Sequence, residues 1–556
     1  MKKVFIFLTV LLLAVSPMIF AGGGSQASPS RTAVEVSAPG VLPITKEKVT
    51  LDVLWNLEPY YTDLLTNSHI IEFEALTNVH ANFIQVASEG FGERLNLLLN
   101  SGEYPEVIIS TGFASASDLV RYGTMEKILI PLNSLIEEQA PNIKAYYAKY
   151  PWVKEAITSP DGNMYAIPTI DSGAKSLNHV SISYKLWLNT EWLNKLGLSK
   201  PTTTEEFRTV LRAFKTRDPN GNGRADEIPL TGAQGTWAAD PWYYLLNAFG
   251  YYDDTLVALR NNTFTPTANQ DYIRDGLAYI KSLYDEGLID PAAFTQTLEQ
   301  MTAVGNNPGT VIMGAAVCGH IQMAVDINNV ERSKVYTVLE PLTGPSGYRG
   351  IPFAGDERKS SSGSFAITDK CINPAVAIKW ADAHNTNYWS LRQNVGKKGV
   401  HWDDADPGTF GMDGITPAQY KYAPDFYETV NISNNDKLGS AFRLLEEDWN
   451  NLFAVTGDIN EPSNYVGRLY RETLKLVPYA ADVQIIPPLA YDENTSVRMS
   501  QISAPLSDFV KSSFVEFITG RKNLTSDWNT YKQGLEQLGY SEYVRNMQTA
   551  YNAIKK

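Results

Sequence analysis

Cysteine is scarce in this sequence of 556 residues, and negative charge outweighs positive charge. Two cysteines cannot form a disulfide framework or a zinc site built from four thiolates. The 47 Lys and Arg residues against 61 Asp and Glu residues give a formal net charge of −14. Because nucleic-acid affinity comes mainly from neutralisation of phosphates by Lys and Arg, we expect no nucleic-acid partner.

Long hydrophobic runs are also scarce, and the one at the N-terminus is short. Lys2 and Lys3 precede an apolar run over residues 4–15, and the small residue Ala21 follows. This pattern is typical of a secretory signal, whereas a membrane-spanning helix needs about 20 apolar residues. We expect residues 1–21 to be removed, which takes the formal charge from −14 to −16. The mature protein is then exported and soluble, in the periplasm or outside the cell.

The sequence also lacks the cysteine that follows the signal of a lipid-anchored exported protein. A glycine stands at that position, and the only thiols are those of Cys318 and Cys371. Acylation requires a thiol, so we expect no lipid anchor.

The remaining composition is that of a large globular protein. It is 44% hydrophobic, 11% aromatic and only 19% charged, which argues against wholesale disorder. The chain is too long for one compact core, so at least two lobes are expected. Residues 22–46 are rich in Gly, Ser, Ala and Pro and are interpreted as a flexible tether.

Strand and helix patterns alternate in the first part of the ordered chain. Strands are predicted at 49–55, 81–86, 107–109, 335–339 and 364–367, and helices at 70–76, 94–99, 205–214 and 272–284. Alternation of this kind predicts a mostly parallel sheet, whose ligands bind beyond the carboxyl ends of the strands. Residues 55–58 and 110–113 are therefore candidate site loops. The last part of the chain, about 415–556, is expected to be largely helical.

The most specific local motif is a loop rich in Asp, Asn and Gly that begins at residue 218. Asp218, Asn220 and Asn222 occupy positions 1, 3 and 5 of an EF-hand-like spacing, with glycine at position 6. The Arg224 carbonyl would be the ligand at position 7, and Asp226 lies at position 9. The loop is not a true EF-hand, because position 12 is proline.

Glu227 could supply the missing oxygens of this loop, and we expect a structural calcium ion there. The alternative interpretation is a turn held only by side-chain hydrogen bonds of Asp and Asn.

This loop lies within a longer stretch that resembles the family 1 extracellular solute-binding proteins of ABC importers, especially the large group that includes the alginate-binding proteins. The segments that carry the resemblance are 187–198, 200–203, 228–230, Tyr-Ala-Ile-Pro at 165–168, Pro-Leu-Thr-Gly-Pro at 341–345, Phe-Ile-Thr-Gly at 517–520, and 527–528. It extends from about residue 47 to the C-terminus and departs from the family at the absent lipobox cysteine.

The resemblance implies a helix-rich α/β protein with the two-lobed periplasmic-binding-protein fold (type II-like) and a ligand cleft between the lobes. It also implies that the calcium loop is structural. The expected first lobe comprises residues 47–167 and about 336–400. The expected second lobe comprises about 168–335 and about 401–556. The implied function is capture of an oligosaccharide by lobe closure, followed by delivery to the membrane permease subunits of an ABC importer.

Aromatic side chains in loops are the first candidates for contact with a sugar, because flat rings cover the apolar faces of sugars. The candidates are Trp55, Phe113, Trp237, Trp242 and Trp402. Polar partners for the hydroxyl groups are sought near the same loops. Those candidates are Asp171, His320 and Arg349.

The rival interpretation is a secreted carbohydrate-active enzyme. The sequence has no nucleophile-elbow motif, no His-Glu-x-x-His motif and no phosphate-binding glycine loop, so we expect no enzymatic activity. A binding protein that feeds a sensor kinase is a further alternative, which the sequence does not separate from an importer component.

We expect a monomer in which Cys318 belongs to the second lobe and Cys371 to the first. A disulfide between them would fix the lobes together, so both thiols are expected to be free and buried.

Overall fold

The computed structural model describes residues 34–57, 63–170, 182–352, 361–426, 435–438, 444–446, 449–484, 486–487, 489 and 491–554. The strands are β1 Val49–Leu57, β2 Val79–Ala87, β3 Val107–Ala114, β4 Ile167–Thr169, β5 Leu186–Asn189, β6 Val257–Arg260, β7 Thr263–Pro266, β8 Ala315–Val317, β9 Tyr336–Val338, β10 Ser361–Ile367, β11 Trp402–Asp404 and β12 Tyr420–Tyr422.

Helices make up most of the remaining regular structure. They are α1 Ser68–Thr77, α2 Ser88–Ser101, α3 Ala116–Leu119, α4 Asn133–Gln139, α5 Pro141–Lys149, α6 Pro151–Ile157, α7 Thr190–Leu196, α8 Thr204–Thr216, α9 Tyr243–Leu246, α10 Asp271–Asp285, α11 Leu298–Gly305, α12 Val330–Ser333, α13 Pro374–His384, α14 Asn387–Asn394, α15 Tyr465–Leu474, α16 Glu493–Ile518, α17 Trp528–Gln537 and α18 Tyr540–Ile554. A π-helical turn, Val120–Met125, follows α3.

The first sheet has the strand order β2-β1-β3-β10-β4. Strand β1 pairs in parallel with β2 and β3, whereas β10 runs antiparallel to both of its neighbours, β3 and β4. The prediction of a mostly parallel sheet is confirmed, with β10 as the one reversed strand among the five.

Both faces of this sheet are buried. Leu51 and Val53 of β1 point into one apolar cluster, which also includes helices α5 and α13. Leu54 of β1 and Ile108 of β3 point into a second cluster on the other face, against α2. Because successive side chains of a strand alternate between faces, a sheet covered on both sides needs the near-continuous apolar runs seen in the sequence.

A second, larger core surrounds the three-stranded antiparallel sheet β8-β5-β9. Helix α8 packs against it through Phe207, Leu211 and Phe214, which lie on one helical face. The helix begins with a capping box, in which the Thr203 hydroxyl accepts from the Glu206 amide and the Glu206 carboxylate accepts in return. The helices predicted at 205–214 and 272–284 are confirmed as α8 and α10.

Strand β9 lies in the second core, whereas the sequence placed residues from about 336 in the first lobe. It pairs with β5 through Thr337 and Val338, and residues as late as Ile351 pack in the same core. The chain rejoins the first sheet only at β10. A three-residue strand is too short for its own sequence to specify a partner, so long-range packing decides where it pairs.

Candidate functional site

At one edge of the first sheet, Asn56 near the carboxyl end of β1 lies beside Ser110, a buried residue in the middle of β3. The amide of Asn56 donates to the hydroxyl of Ser110 over 2.9 Å. At the end of the adjacent β2, the half-buried Gln85 accepts from the backbone amide of Leu64 at 3.5 Å. Amide and hydroxyl groups held at such an edge can exchange hydrogen bonds with a hydroxylated ligand.

Trp55 lies within β1 and not in a loop after it, which corrects the predicted end of that strand. The strand continues to Leu57 because residues 55–57 still pair with residues 85–87 of β2. The Trp55 ring is only 1% exposed and contacts the edge of Phe83, with ring centroids 5.4 Å apart. Phe113 likewise lies inside β3, half-buried against the α2 side of the sheet. The Trp55 ring therefore belongs to the first core in this structure.

Trp242 and Trp402 are also core residues in this structure, with exposed fractions of 1% and 3%. Trp242 stacks near Phe294 with ring centroids 6.3 Å apart, at the start of α9. Trp402 begins β11, and its indole N–H donates to the Gly396 carbonyl over 2.9 Å. Each residue follows a turn in the sequence but already belongs to a packed element, so neither ring has an open face here.

Arg349 is half-buried and engaged within the protein. Its guanidinium lies 4.0 Å from the centroid of the Tyr479 ring, and its Nε donates to the Pro341 carbonyl. These contacts attach the loop after residue 345 to the second core. The candidate Asp171 lies outside the described residues.

Trp237 and His320, both predicted as ligand residues, lie together at the surface of the second core. The Trp237 side chain is 52% exposed. The His320 ring meets it edge to face, with centroids 5.2 Å apart and an interplanar angle of 78°. An exposed indole held against a neighbouring ring is the arrangement that a stacking site for an apolar ligand face requires.

The loop that carries Trp237 is closed by Asp240. This carboxylate is 4% exposed, and its Oδ1 accepts from the Gly235 amide over 2.9 Å. Burial raises the pKa of Asp240 to about 6, although the Gly235 hydrogen bond and the charge of Lys511 act in the opposite direction. From the sequence, Asp240 is only part of a turn, and no local motif marks its bond to Gly235 five residues earlier.

The calcium-like loop is a tight turn built around Asp218, which has a left-handed φ of 45°. The Asp218 carboxylate accepts from the amides of Asn222 and Gly223 at 3.1 and 3.0 Å. The Asn222 side-chain oxygen accepts from the Arg224 amide at 2.8 Å. The side-chain amides of Asn220 and Asn222 donate to Asp226. The turn-stabilising hydrogen bonds of the alternative interpretation are therefore present.

The same loop contains a feature that a turn alone does not explain. The Oε1 atom of Glu227 is buried and has no hydrogen-bond partner among the described residues. Burial, together with the charges of Asp218 and Asp226, raises the pKa of Glu227. Three neighbouring carboxylates with a buried, unsatisfied oxygen form a donor set that suits a hard divalent cation.

The acidic side chains of the described residues alone do not form a metal cluster in this structure. Across the described ranges, no three His, Cys, Asp or Glu side chains converge closely enough to hold a metal ion. The predicted ligands Asp218, Asn220, Asn222, Arg224, Asp226 and Glu227 all lie on this one loop.

Both cysteines are free, as the sequence analysis expected. Cys318 is fully buried in the second core, and the half-buried Cys371 packs against the first. Burial raises the pKa of the Cys318 thiol well above its usual range and that of Cys371 to about 12.

Helices long and apolar enough to cross a membrane are absent from the described part of the chain.

Comparison with known proteins reveals a relative of similar length. No protein-family model matches the sequence. The chain is 29% identical, over an alignment 557 positions long, to the fructooligosaccharide ABC transporter substrate-binding protein FusA of Streptococcus pneumoniae. That alignment covers 98% of this chain and 97% of FusA.

Solved structures show the same likeness in three dimensions. The complex of Streptococcus pneumoniae FusA with kestose has a TM-score of 0.77 and 28% sequence identity, and the match covers 91% of this chain and 99% of that one. An EF-hand mutant of FusA in complex with fructo-nystose has the same TM-score, 27% identity and the same coverage. The alginate-binding protein AlgQ2, solved without calcium ion, has a TM-score of 0.73 at 21% identity, over 91% of this chain and 99% of that one. The expected α/β two-lobed fold is confirmed.

Proposed function

We propose that this chain is a substrate-binding protein of an ABC transporter, which captures an oligosaccharide and delivers it to the permease subunits of an importer. The observation that carries the proposal is the likeness to FusA along 98% of the chain. Because the likeness includes both cores, it favours a shared function of the two proteins. The alternative, a single domain shared by proteins of unrelated function, would produce a match over only part of the chain.

We propose that sugar contact combines an aromatic platform with polar groups on the sheet edge. Sugar rings present apolar C–H faces, which an open indole covers, and the 52% exposed ring of Trp237 supplies such a face. His320 lies beside it, and Asn56 and Ser110 are held at the edge of the first sheet. FusA is a fructooligosaccharide-binding protein that was solved in complex with kestose, which supports a neutral oligosaccharide as the first ligand class to test.

Capture is proposed to work by a shift between open and closed forms. A ligand that contacts both lobes binds the closed form more tightly and so increases its population. The closed form is the one that the permease subunits recognise. The bound sugar is released unchanged, because a protein in this role carries out no chemical step on its ligand.

Calcium is proposed as a structural ion at the loop of residues 218–227. Asp218, Asn220, Asn222, the Arg224 carbonyl, Asp226 and Glu227 would hold it. When bound, the ion neutralises the neighbouring carboxylates and satisfies the buried oxygen of Glu227. The existence of an EF-hand mutant of FusA and of an AlgQ2 structure without calcium ion supports this proposal.

We further propose that the protein is exported, unanchored and monomeric. The signal-like segment at residues 1–21 supports export, and the glycine at the lipobox position supports the absence of an anchor.

Isothermal titration against a panel of oligosaccharides, with analysis of the sugar afterwards, tests the function. The panel contains kestose, maltotriose, cellotriose and trigalacturonate. We expect saturable binding of at least one neutral member with no change in its chain length. A cleaved or modified sugar would overturn the proposal, and so would the absence of binding to every member.

Trp237→Ala tests the aromatic platform. We expect the substitution to weaken binding by about tenfold, because an aromatic contact contributes about 1 kcal/mol beyond its buried area. The matched control is Tyr388→Ala, which removes an aromatic ring that is 47% exposed on the first lobe and should leave affinity unchanged. Equal affinities for Trp237→Ala and wild type would exclude Trp237 from the site.

A further inference from the structure

We infer that Gly319 and Asp240 are positioning residues that hold the half-exposed Trp237 indole in one pose, an inference that rests on the proposed function. Neither residue would need to touch the sugar. Their role would be to fix the ring that does, so that binding does not have to order it.

Gly319 provides the space in which the indole lies. A Cβ atom at this position would stand 2.5 Å from Cζ3 and 2.7 Å from Cη2 of Trp237. Both distances are far below van der Waals contact, so the Cζ3–Cη2 edge of the indole lies directly against the backbone of residue 319. The φ of Gly319 is not in the left-handed region. Glycine is therefore required here for space and not for backbone conformation.

Hydrogen bonds of Cys318 fix the backbone next to the Trp237 ring, so this backbone cannot move away to make room for a side chain at residue 319. The Cys318 amide donates to the Lys185 carbonyl over 3.1 Å. The Cys318 carbonyl accepts from the indole N–H of the buried Trp187 over 3.0 Å. These bonds continue the pairing of β8 with β5 and anchor residue 318 in the second core. A side chain at residue 319 must therefore displace Trp237.

Asp240 fixes the other side of the arrangement, which is the loop of residues 233–240. Besides the Asp240 bond to the Gly235 amide, the loop is closed by Ala239 donating to Thr236 at 3.1 Å and by Ala233 donating to Ala239 at 2.9 Å. Ala238, next to the indole, has a left-handed φ of 53° and is 1% exposed. A non-glycine residue persists in that conformation only where its surroundings enforce it.

The result is an indole held along one edge and half exposed. The Cζ3–Cη2 edge lies against residue 319, and the His320 ring lies nearly perpendicular to the indole. The remaining half of the side chain faces outward. A platform fixed in this way accepts the apolar face of one sugar ring and loses little side-chain entropy when it does so.

The test uses Gly319→Ala in the full chain, alone and combined with Trp237→Ala. The first readout needs no ligand: the near-ultraviolet circular dichroism that Trp237 contributes, taken as the difference between each protein and its Trp237→Ala counterpart. We expect Gly319→Ala to change this contribution. The matched control is Gly92→Ala, where a Cβ meets nothing within 4 Å. This substitution should leave the circular dichroism contribution of Trp237 unchanged.

The second readout is affinity for the panel sugar that wild type binds. We expect Gly319→Ala to weaken binding by about tenfold, as loss of the aromatic contact would, and the double variant to be no weaker than Trp237→Ala alone. Losses that add independently, or a Gly319→Ala protein with unchanged spectrum and affinity, would overturn the inference. If wild type binds no panel sugar, the proposed function fails, and the spectrum alone decides the positioning role.

Asp240 supplies a variant that does not crowd the ring. Asp240→Ala removes the acceptor of the Gly235 bond, whereas Asp240→Asn retains a side-chain oxygen. We expect the alanine variant to alter the Trp237 spectrum and weaken binding, and the asparagine variant to restore both. Equal behaviour of Asp240→Ala and wild type would exclude Asp240 from positioning.

Discussion

At the scale of a single residue, the buried ring of His69 is expected to reduce the stability of the folded protein. Its ring is fully buried, and neither ring nitrogen has a hydrogen-bond partner among the described residues. It stacks on the ring of His384 with centroids 5.2 Å apart and lies beside Trp389 at 5.0 Å. Burial first, and then electrostatic interaction with His384 and Arg392, hold the pKa of His69 well below its usual range, although the Arg392 backbone acts in the opposite direction.

This burial makes stability depend on pH in a defined direction. Burial also lowers the pKa of His384 to about 3. In the unfolded chain, both histidines take up protons as the pH falls below about 6.5, whereas the folded protein leaves them neutral. Stability from these neutral rings is therefore fully present above that pH and decreases progressively below it.

His69→Phe should raise the free energy of unfolding by about 1–3 kcal/mol at pH 7, because it removes an unsatisfied buried polar ring. It should also reduce the loss of stability between pH 7 and pH 5. Urea unfolding at both pH values measures this. The control is His80→Phe, at a side chain that is 40% exposed and paired with Glu74. A pH dependence identical to that of wild type would contradict the explanation.

The sequence alone does not determine which aromatic side chains are accessible to a ligand, because packing decides it. Trp237 was predicted as a ligand residue from its place in a turn; its ring is exposed, and its contact with a sugar stays a prediction. Trp242 was chosen for the same turn, yet its ring is in the core. The sequence does not distinguish the two, because the difference lies in what α16 and the β8 region place against each ring.

At the scale of elements, periodicity identified the strands and helices well but not their ends or partners. The amphipathic pattern of α8 and its capping box are local properties, so they can be read directly. The extension of β1 to Leu57 depends on pairing with β2, and the position of β9 depends on β5. These are contacts between distant parts of the chain, which local patterns do not encode.

The loop of residues 218–227 gives the prediction at this scale. Calcium in the millimolar range should raise the melting temperature by a few degrees over a sample in chelator, because binding at about 100 times the dissociation constant adds about 2.7 kcal/mol. Asp218→Asn should abolish most of this shift. Asp275→Asn, at an exposed carboxylate on α10, is the matched control. Equal melting temperatures of wild type in calcium and in chelator would exclude the ion.

At the scale of the whole molecule, the redox state of the two cysteines shows whether the two cores are covalently linked. Because Cys318 belongs to the second core and Cys371 packs against the first, a disulfide would tie the cores together. We expect Ellman titration without reductant to find two thiols per denatured chain and slow reaction in the native protein, since burial raises both pKa values. A linked peptide pair in non-reducing mapping would contradict the assignment.

The reversed strand β10 has a consequence for how the protein reaches its folded state. It lies between β3 and β4, and the Thr368 hydroxyl just after it bonds to the carbonyl of Pro105, 263 residues earlier. During synthesis, β1 can pair with β2 and β3 early. The five-stranded sheet is complete only after β10 has been synthesised, and β10 follows most of the residues of the second core in the chain. Loop closure over such distances is slow. Until β10 is synthesised, the position between β3 and β4 in the first sheet is empty. We therefore expect stable folding of the first lobe only when about two thirds of the chain is present.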